Sequence, residues 1–361
     1  MTKLDLLAEN GQSVWYDYIR RDMLADGRMA ALVTEGIRGV TSNPSIFEQA
    51  IARSDLYDNQ IIELGDVTPE AAFEALAITD IRAAADILAP VYEASEGVDG
   101  YVSLEVSPRL AHDTAGTISD AMRLWALVER PNLMVKVPAT AAGIPAIEEL
   151  TAAGLNINAT LMFSLGDYEA VAGAYVAGAR RASDPASLAS VASFFVSRVD
   201  TSMDAALERV GTSRALELRG TIAVANAKAA YRRFLEIFEG EAFEDLSARS
   251  TRPQRPLWAS TSTKNPAYRD VMYVEQLVGR NTVNTAPPAT IVAFEDHGVV
   301  TRDSIIEGID AAVVLIDSLP SLGVDYEAVT AQLQTDGVAS FSDAYEALLD
   351  AIRDKQEALV R

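Results

Sequence analysis

The sequence predicts an α/β fold in which eight parallel strands, each followed by a helix, close into a (β/α)8 TIM barrel. Short β-branched or aromatic runs alternate with longer segments of helical period, as in βα units around a parallel sheet. There are eight such runs, and polar residues gather at their C-terminal ends. The 361 residues, 49% of them hydrophobic, also suffice for one barrel with additional helices, notably at the C-terminus.

The number of predicted strands matters more than any single strand, because short apolar runs are ambiguous between strand and buried helix. The eight runs are Ser13 to Tyr16, Gly39 to Thr41, Tyr101 to Glu105, Met134 to Val137, Asn156 to Leu161, Val191 to Val196, Leu257 to Ser260 and Thr282 to Thr285.

Helix starts are predicted where a capping side chain precedes proline, at Thr68-Pro69 and at Asn265-Pro266. A further helix is predicted from Asp113 through Val128, with an apolar stripe that packs on the barrel wall. The stripe residues are Ile118, Met122, Trp125 and Val128.

After the eighth strand, Arg302 to Pro320 and Asp325 to Arg361 have the pattern of helices. Residues 302–361 are therefore predicted to form a C-terminal helical extension, and the charges of the last helix favour a solvated surface. No repeat or low-complexity linker divides the chain, so residues 1–361 are expected to form a single domain.

Composition excludes several classes of function. The formal net charge of −22 argues against nucleic acid and against anionic membranes as partners. Cysteine is absent and histidine occurs twice, so thiol chemistry, a histidine metal cluster and a Ser-His-Asp site are not expected. No signal peptide is expected at the N-terminus, which together with the absence of cysteine suits the cytoplasm. The oligomeric state is left as monomer or homodimer.

Lys136 lies inside the apolar strand-like segment from Leu133 to Pro138. Burial of an ammonium group costs solvation, which favours loss of its proton. A neutral lysine amine attacks carbonyls to form Schiff bases, which allow carbon–carbon bonds to break. The alternative is a lysine that extends its amine from a strand end to solvent.

Polar residues follow most of the predicted strands, where the βα loops of a parallel barrel meet at one mouth. Carboxylates there could serve the proton transfers of Schiff-base chemistry, although each could also be a helix cap or a loop acid. Asn43 could bind hydroxyls or cap a helix. The strand-end residues are Asp17, Asn43, Glu105, Lys136, Asn158, Thr160, Arg198, Ser260 and Lys264.

Two of these regions could bind a phosphate. Arg198 suits bidentate phosphate binding, and a salt bridge is the alternative. The segment from Leu257 to Lys264 combines hydroxyls, a cation and a predicted helix N-terminus, which together favour anions.

Five ordered motifs resemble the transaldolase family, in particular its longer bacterial branch. The resemblance extends from the N-terminal strand through Ile291. The motifs are Thr41-Ser42-Asn43-Pro44-Ser45, Val102-Ser103-Leu104-Glu105-Val106, Val135-Lys136-Val137-Pro138-Ala139-Thr140, Asn156-Ile157-Asn158-Ala159-Thr160-Leu161-Met162-Phe163-Ser164 and Ser193-Phe194-Phe195-Val196-Ser197-Arg198.

The resemblance implies a barrel with a Schiff-base lysine on the fourth strand, where the independent strand count also places Lys136. It implies transfer of a dihydroxyacetone unit from sedoheptulose 7-phosphate to glyceraldehyde 3-phosphate, giving erythrose 4-phosphate and fructose 6-phosphate in the pentose phosphate pathway. No cofactor and no metal are implied. Lys136 would attack the ketose carbonyl, Glu105 would move protons through a water that Thr160 orients, and Asp17 would exchange the proton of the C4 hydroxyl.

The resemblance also implies a set of substrate-binding residues. Asn43 and Asn158 would hold hydroxyls of the covalent intermediate, with Ser193 from the fifth motif nearby, and Arg198 and Ser260 would bind phosphate. Shorter members of the family carry an arginine two residues after the serine. This chain has Ser262 there, so Lys264 is the candidate for the second phosphate cation.

Two rival functions remain open. A class I aldolase of the same superfamily would release dihydroxyacetone to water instead of passing it to an aldose. A non-catalytic barrel that binds sugar phosphates would use the strand lysine only to pair with phosphate.

Overall fold

Eight parallel strands close into a barrel in chain order, with β8 paired to β1. The structure is a computed structural model and describes residues 2–359. Each predicted run falls on one of these strands, so the predicted (β/α)8 barrel is confirmed. The strands are β1 Gln12–Tyr16, β2 Gly39–Val40, β3 Tyr101–Glu105, β4 Leu133–Pro138, β5 Ile157–Met162, β6 Ser190–Phe195, β7 Arg255–Ala259 and β8 Thr282–Ala286.

Seventeen α-helices lie within residues 2–359, and most of them pack around the outside of the barrel. They are α1 Lys3–Glu9, α2 Arg21–Ala25, α3 Arg28–Thr34, α4 Pro44–Ala52, α5 Asp58–Leu64, α6 Pro69–Ala94, α7 Thr114–Val128, α8 Gly143–Ala152, α9 Leu165–Arg181, α10 Ser197–Val210, α11 Ser213–Glu217, α12 Ile222–Phe238, α13 Glu244–Ser247, α14 Met272–Gln276, α15 Pro288–His297, α16 Ile309–Ser318 and α17 Tyr326–Leu359. No helix in this part of the chain is both long and apolar enough to cross a membrane.

The strands are buried on both faces, as expected for a barrel covered by helices. All six residues of β4 are buried, including Lys136. The shortest strand, β2, needs a glycine, because a Cβ at Gly39 would lie 2.6 Å from the ring of Trp15. Strand β2 can therefore pack this closely against the Trp15 ring only because residue 39 is a glycine.

One of the two predicted helix starts is confirmed. Thr68 caps α6 by accepting a hydrogen bond from Ala71 N at 3.3 Å. The start predicted at Asn265 is wrong, because the Asn265 side chain accepts from Ala267 N and closes a local turn. Asparagine and proline also favour turns, and no helix begins after β7 before Met272.

The predicted helix from Asp113 to Val128 is present as α7, and its predicted apolar stripe is confirmed except at Met122. Ile118 and Trp125 are partly buried against the core and Val128 is fully buried, whereas Met122 is 43% exposed. The buried face is centred slightly to one side of the stripe. Its fully buried residues are Thr117, Ala121, Leu124 and Val128.

The predicted C-terminal helices are present as α16 and α17, although residues 302–308 form turns. The expectation that the last helix is simply solvated is wrong for one face of α17, where Leu333, Phe341 and Tyr345 are buried. Its far end is bonded to the barrel periphery, since Lys355 Nζ donates to Ser54 O at 2.7 Å. Earlier in α17, Gln334 donates hydrogen bonds to the carbonyls of Ala139 and Leu161, so the helix lies against the C-terminal ends of β4 and β5.

Candidate active site

Lys136 points from β4 into the barrel, and the residue is 5% exposed. Its Nζ donates a hydrogen bond to Ser42 O at 3.0 Å and lies 3.1 Å from Glu105 Oε2. Parallel register brings these residues together, because Lys136 is the direct partner of Glu105 on β3 and of Asn158 on β5. The amine is therefore enclosed by the barrel and paired with one carboxylate.

Glu105 ends β3, and its side chain is 6% exposed. Burial raises the pKa of the Glu105 carboxyl above its ordinary value, and the neighbouring Lys136 amine partly offsets this rise. A carboxyl with a raised pKa can exchange protons closer to neutral pH than an exposed one. Glu105 is therefore suited to proton transfer at the Lys136 nitrogen.

Thr160 lies on β5, two residues after Asn158, so both side chains point into the barrel. The Thr160 hydroxyl is buried and has no hydrogen-bond partner among residues 2–359. A buried hydroxyl normally finds a partner. Its position near the end of β5 makes this group available to a substrate or a water in the site.

Asp17 directly follows β1 on the opposite side of the mouth. Its Oδ1 accepts a hydrogen bond from Thr41 Oγ1 at 2.6 Å, and the Thr41 hydroxyl lies 2.7 Å from that of Thr285. Burial raises the pKa of the Asp17 carboxyl above its ordinary value. The Thr41 hydrogen bond and the nearby cations, of which Lys136 contributes most, lower it in part.

A buried polar layer lies deeper in the barrel. Asn158 Nδ2 donates to Ser103 Oγ at 3.0 Å, and Ser193 Oγ donates to Asn158 Oδ1 at 2.7 Å. Asn158 is fully buried, so these bonds fix the orientation of its amide. One amide hydrogen of Asn158 remains available to a ligand above it.

Several of these side chains, among them Asp17, Lys136 and Thr160, line a cavity of about 270 Å³ at the C-terminal mouth. Asn43 is part of the wall and also caps α4, because its Oδ1 accepts from Ile46 N at 3.0 Å. Asn43 can therefore cap the helix and also present its amide group to a substrate hydroxyl. The wall comprises Asp17, Thr41, Asn43, Lys136, Thr160, Ser193, Phe195, Arg198, Ala259, Ser260, Ser262, Lys264, Thr285, Pro287 and Phe341.

Arg198 supplies an unpaired cation to this wall. No carboxylate of residues 2–359 lies within ion-pair distance of its guanidinium, which instead sits 5.2 Å from the centroid of the Phe195 ring. Burial lowers the pKa of Arg198, and the charge of Asp17 acts in the opposite direction. A partly desolvated guanidinium beside a cavity is a strong site for an anion.

Ser260 lies beside Arg198 because β7 pairs with β6. Its hydroxyl lies 2.8 Å from that of Ser197, the first residue of α10, and its backbone has a left-handed φ of 57°. The helix N-terminus expected near Lys264 is absent, since the chain there forms turns, but α10 provides one at Ser197. Lys264 is exposed and donates to Ser262 Oγ at 2.8 Å.

The structure brings eight of the ten predicted site residues into the cavity wall, while Glu105 and Asn158 are outside the wall and flank Lys136 in register on β3 and β5. Thr41, Thr285 and Phe195 were missed, although their places at strand ends could have indicated them. Phe341 was missed because it lies on the distant helix α17. No group of three metal-ligating side chains suited to a metal ion occurs within residues 2–359.

Comparison of the sequence with known proteins identifies the family of this chain. Residues 14–352 match the family model described as transaldolase/fructose-6-phosphate aldolase. A protein named transaldolase from Thiobacillus denitrificans is 50% identical over 349 residues, which cover 95% of this chain and 97% of that protein. Transaldolase 1 of Streptomyces coelicolor is 48% identical over 97% of this chain and 93% of its own length.

A transaldolase from Thermobifida fusca is 46% identical, and the alignment covers 98% of both chains. The family match begins within β1, includes the other seven strands in full and ends at residue 352, within α17. The chain therefore belongs to the transaldolase/fructose-6-phosphate aldolase family.

Proposed function

We propose that this protein is a transaldolase of the pentose phosphate pathway in the cytoplasm. It moves a dihydroxyacetone unit from sedoheptulose 7-phosphate to glyceraldehyde 3-phosphate and produces erythrose 4-phosphate and fructose 6-phosphate. The observation that carries the proposal is the buried Lys136 amine, 3.1 Å from Glu105 and in one cavity with Asp17 and Arg198. The names of the similar proteins support transfer over simple aldol cleavage.

Imine formation begins when the Lys136 amine gives its proton to Glu105 and attacks the C2 carbonyl of the ketose. The resulting carbinolamine loses its hydroxyl as water, with Glu105 returning the proton to the departing oxygen. Thr160, whose hydroxyl has no hydrogen-bond partner in the described part of the chain, orients the water of this step and of the later hydrolysis. The cationic imine then serves as the electron sink, so the reaction needs neither a metal nor a cofactor.

Carbon–carbon cleavage takes place on the Asp17 side of the cavity. The Asp17 carboxylate takes the proton of the C4 hydroxyl, the C3–C4 bond breaks, and its electron pair moves into the imine to form an enamine. The aldose product leaves with the new aldehyde. In the reverse direction the enamine carbon attacks the acceptor aldehyde, whose oxygen takes the proton back from Asp17.

The remaining wall residues hold the substrate. Asn43 and Asn158 hydrogen-bond hydroxyls of the three-carbon unit, and Ser193 holds the Asn158 amide in place. Arg198 and Ser260 bind the phosphate at the N-terminus of α10, and Lys264 supplies a second, more exposed cation. The active unit is a monomer or a homodimer, and the proposed catalytic and phosphate-binding residues all come from one chain.

The test combines product analysis with trapping. Purified protein is incubated with sedoheptulose 7-phosphate and glyceraldehyde 3-phosphate, and both products are measured by mass spectrometry. In parallel, borohydride is added with fructose 6-phosphate, and the modified residue is located by peptide mapping. Lys136→Ala is expected to lose the adduct. Lys228→Ala is the matched control and is expected to keep it, because Lys228 binds Ser304 O and Glu307 O away from the cavity.

The rival activity is an aldolase that releases dihydroxyacetone to water. Release of dihydroxyacetone from fructose 6-phosphate at the rate of transfer would favour the aldolase. An adduct on a residue other than Lys136 would contradict the proposed mechanism, and the absence of any adduct would favour a binding protein.

A further inference from the structure

One residue of the last helix, Phe341 of α17, takes part in the active-site cavity. Its side chain is 4% exposed and forms part of the cavity wall. The centroid of its ring lies 5.7 Å from Lys136 Nζ. An aromatic ring in this position attracts the protonated amine and keeps water away from the atoms beneath it.

The position of Phe341 is fixed by contacts one and two turns earlier in α17. Gln334 Nε2 donates to Ala139 O at 2.9 Å and to Leu161 O at 3.3 Å, and these carbonyls lie at the ends of β4 and β5. A Cβ at Gly337 would lie 3.0 Å from Leu161 Cδ2, so the absence of a side chain lets the helix approach β5 closely. The helix is thus tied to the two strands that carry Lys136 and Thr160.

Leu161, whose carbonyl accepts one of the hydrogen bonds from Gln334, has a strained backbone. It has a left-handed φ of 61° although it is not glycine, and β5 changes register with β6 between Ala159 and Met162. Such a conformation persists when surrounding contacts hold it. The hydrogen bond from Gln334 is one of these contacts, which couples α17 to the backbone beside Thr160.

Any effect of Phe341 on the Lys136 enamine rests on the proposed function. After cleavage, the three-carbon enamine on Lys136 has two fates. Its terminal carbon can attack an acceptor aldehyde and form a new carbon–carbon bond. Alternatively that carbon takes a proton from solvent, water adds to the resulting imine, and dihydroxyacetone leaves with the Lys136 amine regenerated. Both routes balance, and only the second begins with a proton delivered by water to carbon.

We infer that Phe341 is a specificity-determining residue, which favours transfer over release by excluding water from the enamine on Lys136. Glu105 and Thr160, on the other side of the amine, still admit the water needed to hydrolyse the finished product. The Phe341 ring therefore lowers the rate of release more than the rate of transfer. During transfer, the acceptor aldehyde fills the cavity and displaces the water by itself.

The experiment measures two rates with each protein: dihydroxyacetone release from fructose 6-phosphate alone, and transfer to erythrose 4-phosphate. Phe341→Ala is expected to raise the release-to-transfer ratio about tenfold, equivalent to about 1.4 kcal/mol of barrier difference. Phe341→Leu, which keeps an apolar cover, is expected to give a smaller rise and serves as the test if the alanine variant does not fold.

Leu348→Ala is the matched control. Leu348 is also a buried apolar residue of α17, two turns further along the helix, and it is not part of the cavity wall. Its loss weakens helix packing without uncovering Lys136, so the ratio is expected to stay at the wild-type value. An equal rise in Leu348→Ala, or an unchanged ratio in both folded Phe341 variants, would overturn the inference.

The inference and the proposed function fail in different ways. If the unchanged protein neither transfers the three-carbon unit nor forms a borohydride adduct, the proposed function is wrong before any variant is compared. If the unchanged protein does both, the ratios of the Phe341 variants decide the inference alone.

Discussion

Lys136 Nζ lies 3.1 Å from Glu105 Oε2, and both side chains are only 6% exposed. An ion pair this deep in a barrel is costly to maintain, because each charge loses its solvation. The same arrangement provides a direct route for the proton that the amine must lose before it attacks a carbonyl. The chemistry thus gives a reason for a pair that stability alone does not require.

Lys136→Arg separates the charge of this residue from its nucleophilicity. A guanidinium stays protonated and cannot form an imine, while it can still pair with Glu105. We expect loss of detectable turnover and of the borohydride adduct, with a far-UV circular dichroism spectrum close to that of the unchanged protein. Turnover at the wild-type rate would remove Lys136 from the mechanism.

Asp17→Asn is expected to slow carbon–carbon cleavage more than imine formation. The amide keeps the shape of the side chain but cannot take the C4 proton, a role that contributes about 10²- to 10⁴-fold in rate. Single-turnover measurements with fructose 6-phosphate can follow the imine by borohydride trapping and cleavage by product release. Equal losses in both steps would contradict the role proposed for Asp17.

Arg198→Ala is expected to weaken binding of phosphorylated substrates. Hydrogen bonds to charged groups contribute about 1.5–3 kcal/mol each, so KM for glyceraldehyde 3-phosphate should rise about 10- to 100-fold. Lys264→Ala is expected to raise it only up to about fivefold, because the Lys264 side chain is exposed.

Glyceraldehyde, which lacks the phosphate, provides the internal control for this prediction. With that acceptor, Arg198→Ala and the unchanged protein are expected to have similar KM values. A loss of the same size with both acceptors would show that Arg198 supports the fold of the site instead of binding phosphate.

Much of the site could be predicted because barrel topology converts sequence position into spatial position. The ends of parallel strands meet at one mouth, so polar residues after successive strands had to converge. Lys136 and Glu105 illustrate this, since they lie in the C-terminal halves of apolar strands that are neighbours in chain order, and they are direct partners in register.

The remaining features depend on packing between distant segments. Phe341 is separated from Lys136 by 205 positions, and no local pattern of α17 distinguishes it from an ordinary apolar residue. The burial of each residue on α7 likewise depends on the elements packed beside the helix, as the exposure of Met122 within an otherwise packed stripe shows. At Asn265, cap and turn use the same residue pair, and only the surrounding backbone decides between them.

Asp200 provides a test of stability that is separate from catalysis. It is 2% exposed on α10, where Oδ1 accepts from Ala223 N at 2.9 Å and Oδ2 accepts from the Tyr273 hydroxyl at 2.7 Å. Burial raises the pKa of Asp200 to about 6, despite both hydrogen bonds. The folded state therefore holds this proton more tightly than the unfolded state, whose pKa is near the ordinary 3.8.

Because the folded pKa is the higher one, the stability contributed by the protonated group is fully present below about pH 3.8 and is lost as pH rises through about 6. A difference of about two pKa units corresponds to about 2–3 kcal/mol. Asp200→Asn cannot ionise and can still meet Ala223 N and Tyr273. The free energy of unfolding of Asp200→Asn, relative to that of the unchanged protein, should therefore rise by about 2 kcal/mol between about pH 4.5 and pH 7.5.

Urea denaturation at both pH values measures the difference, and Asp350→Asn on the exposed surface of α17 is the control. A constant difference between Asp200→Asn and the unchanged protein across this range would refute the raised pKa, because other buried acids titrate equally in both proteins.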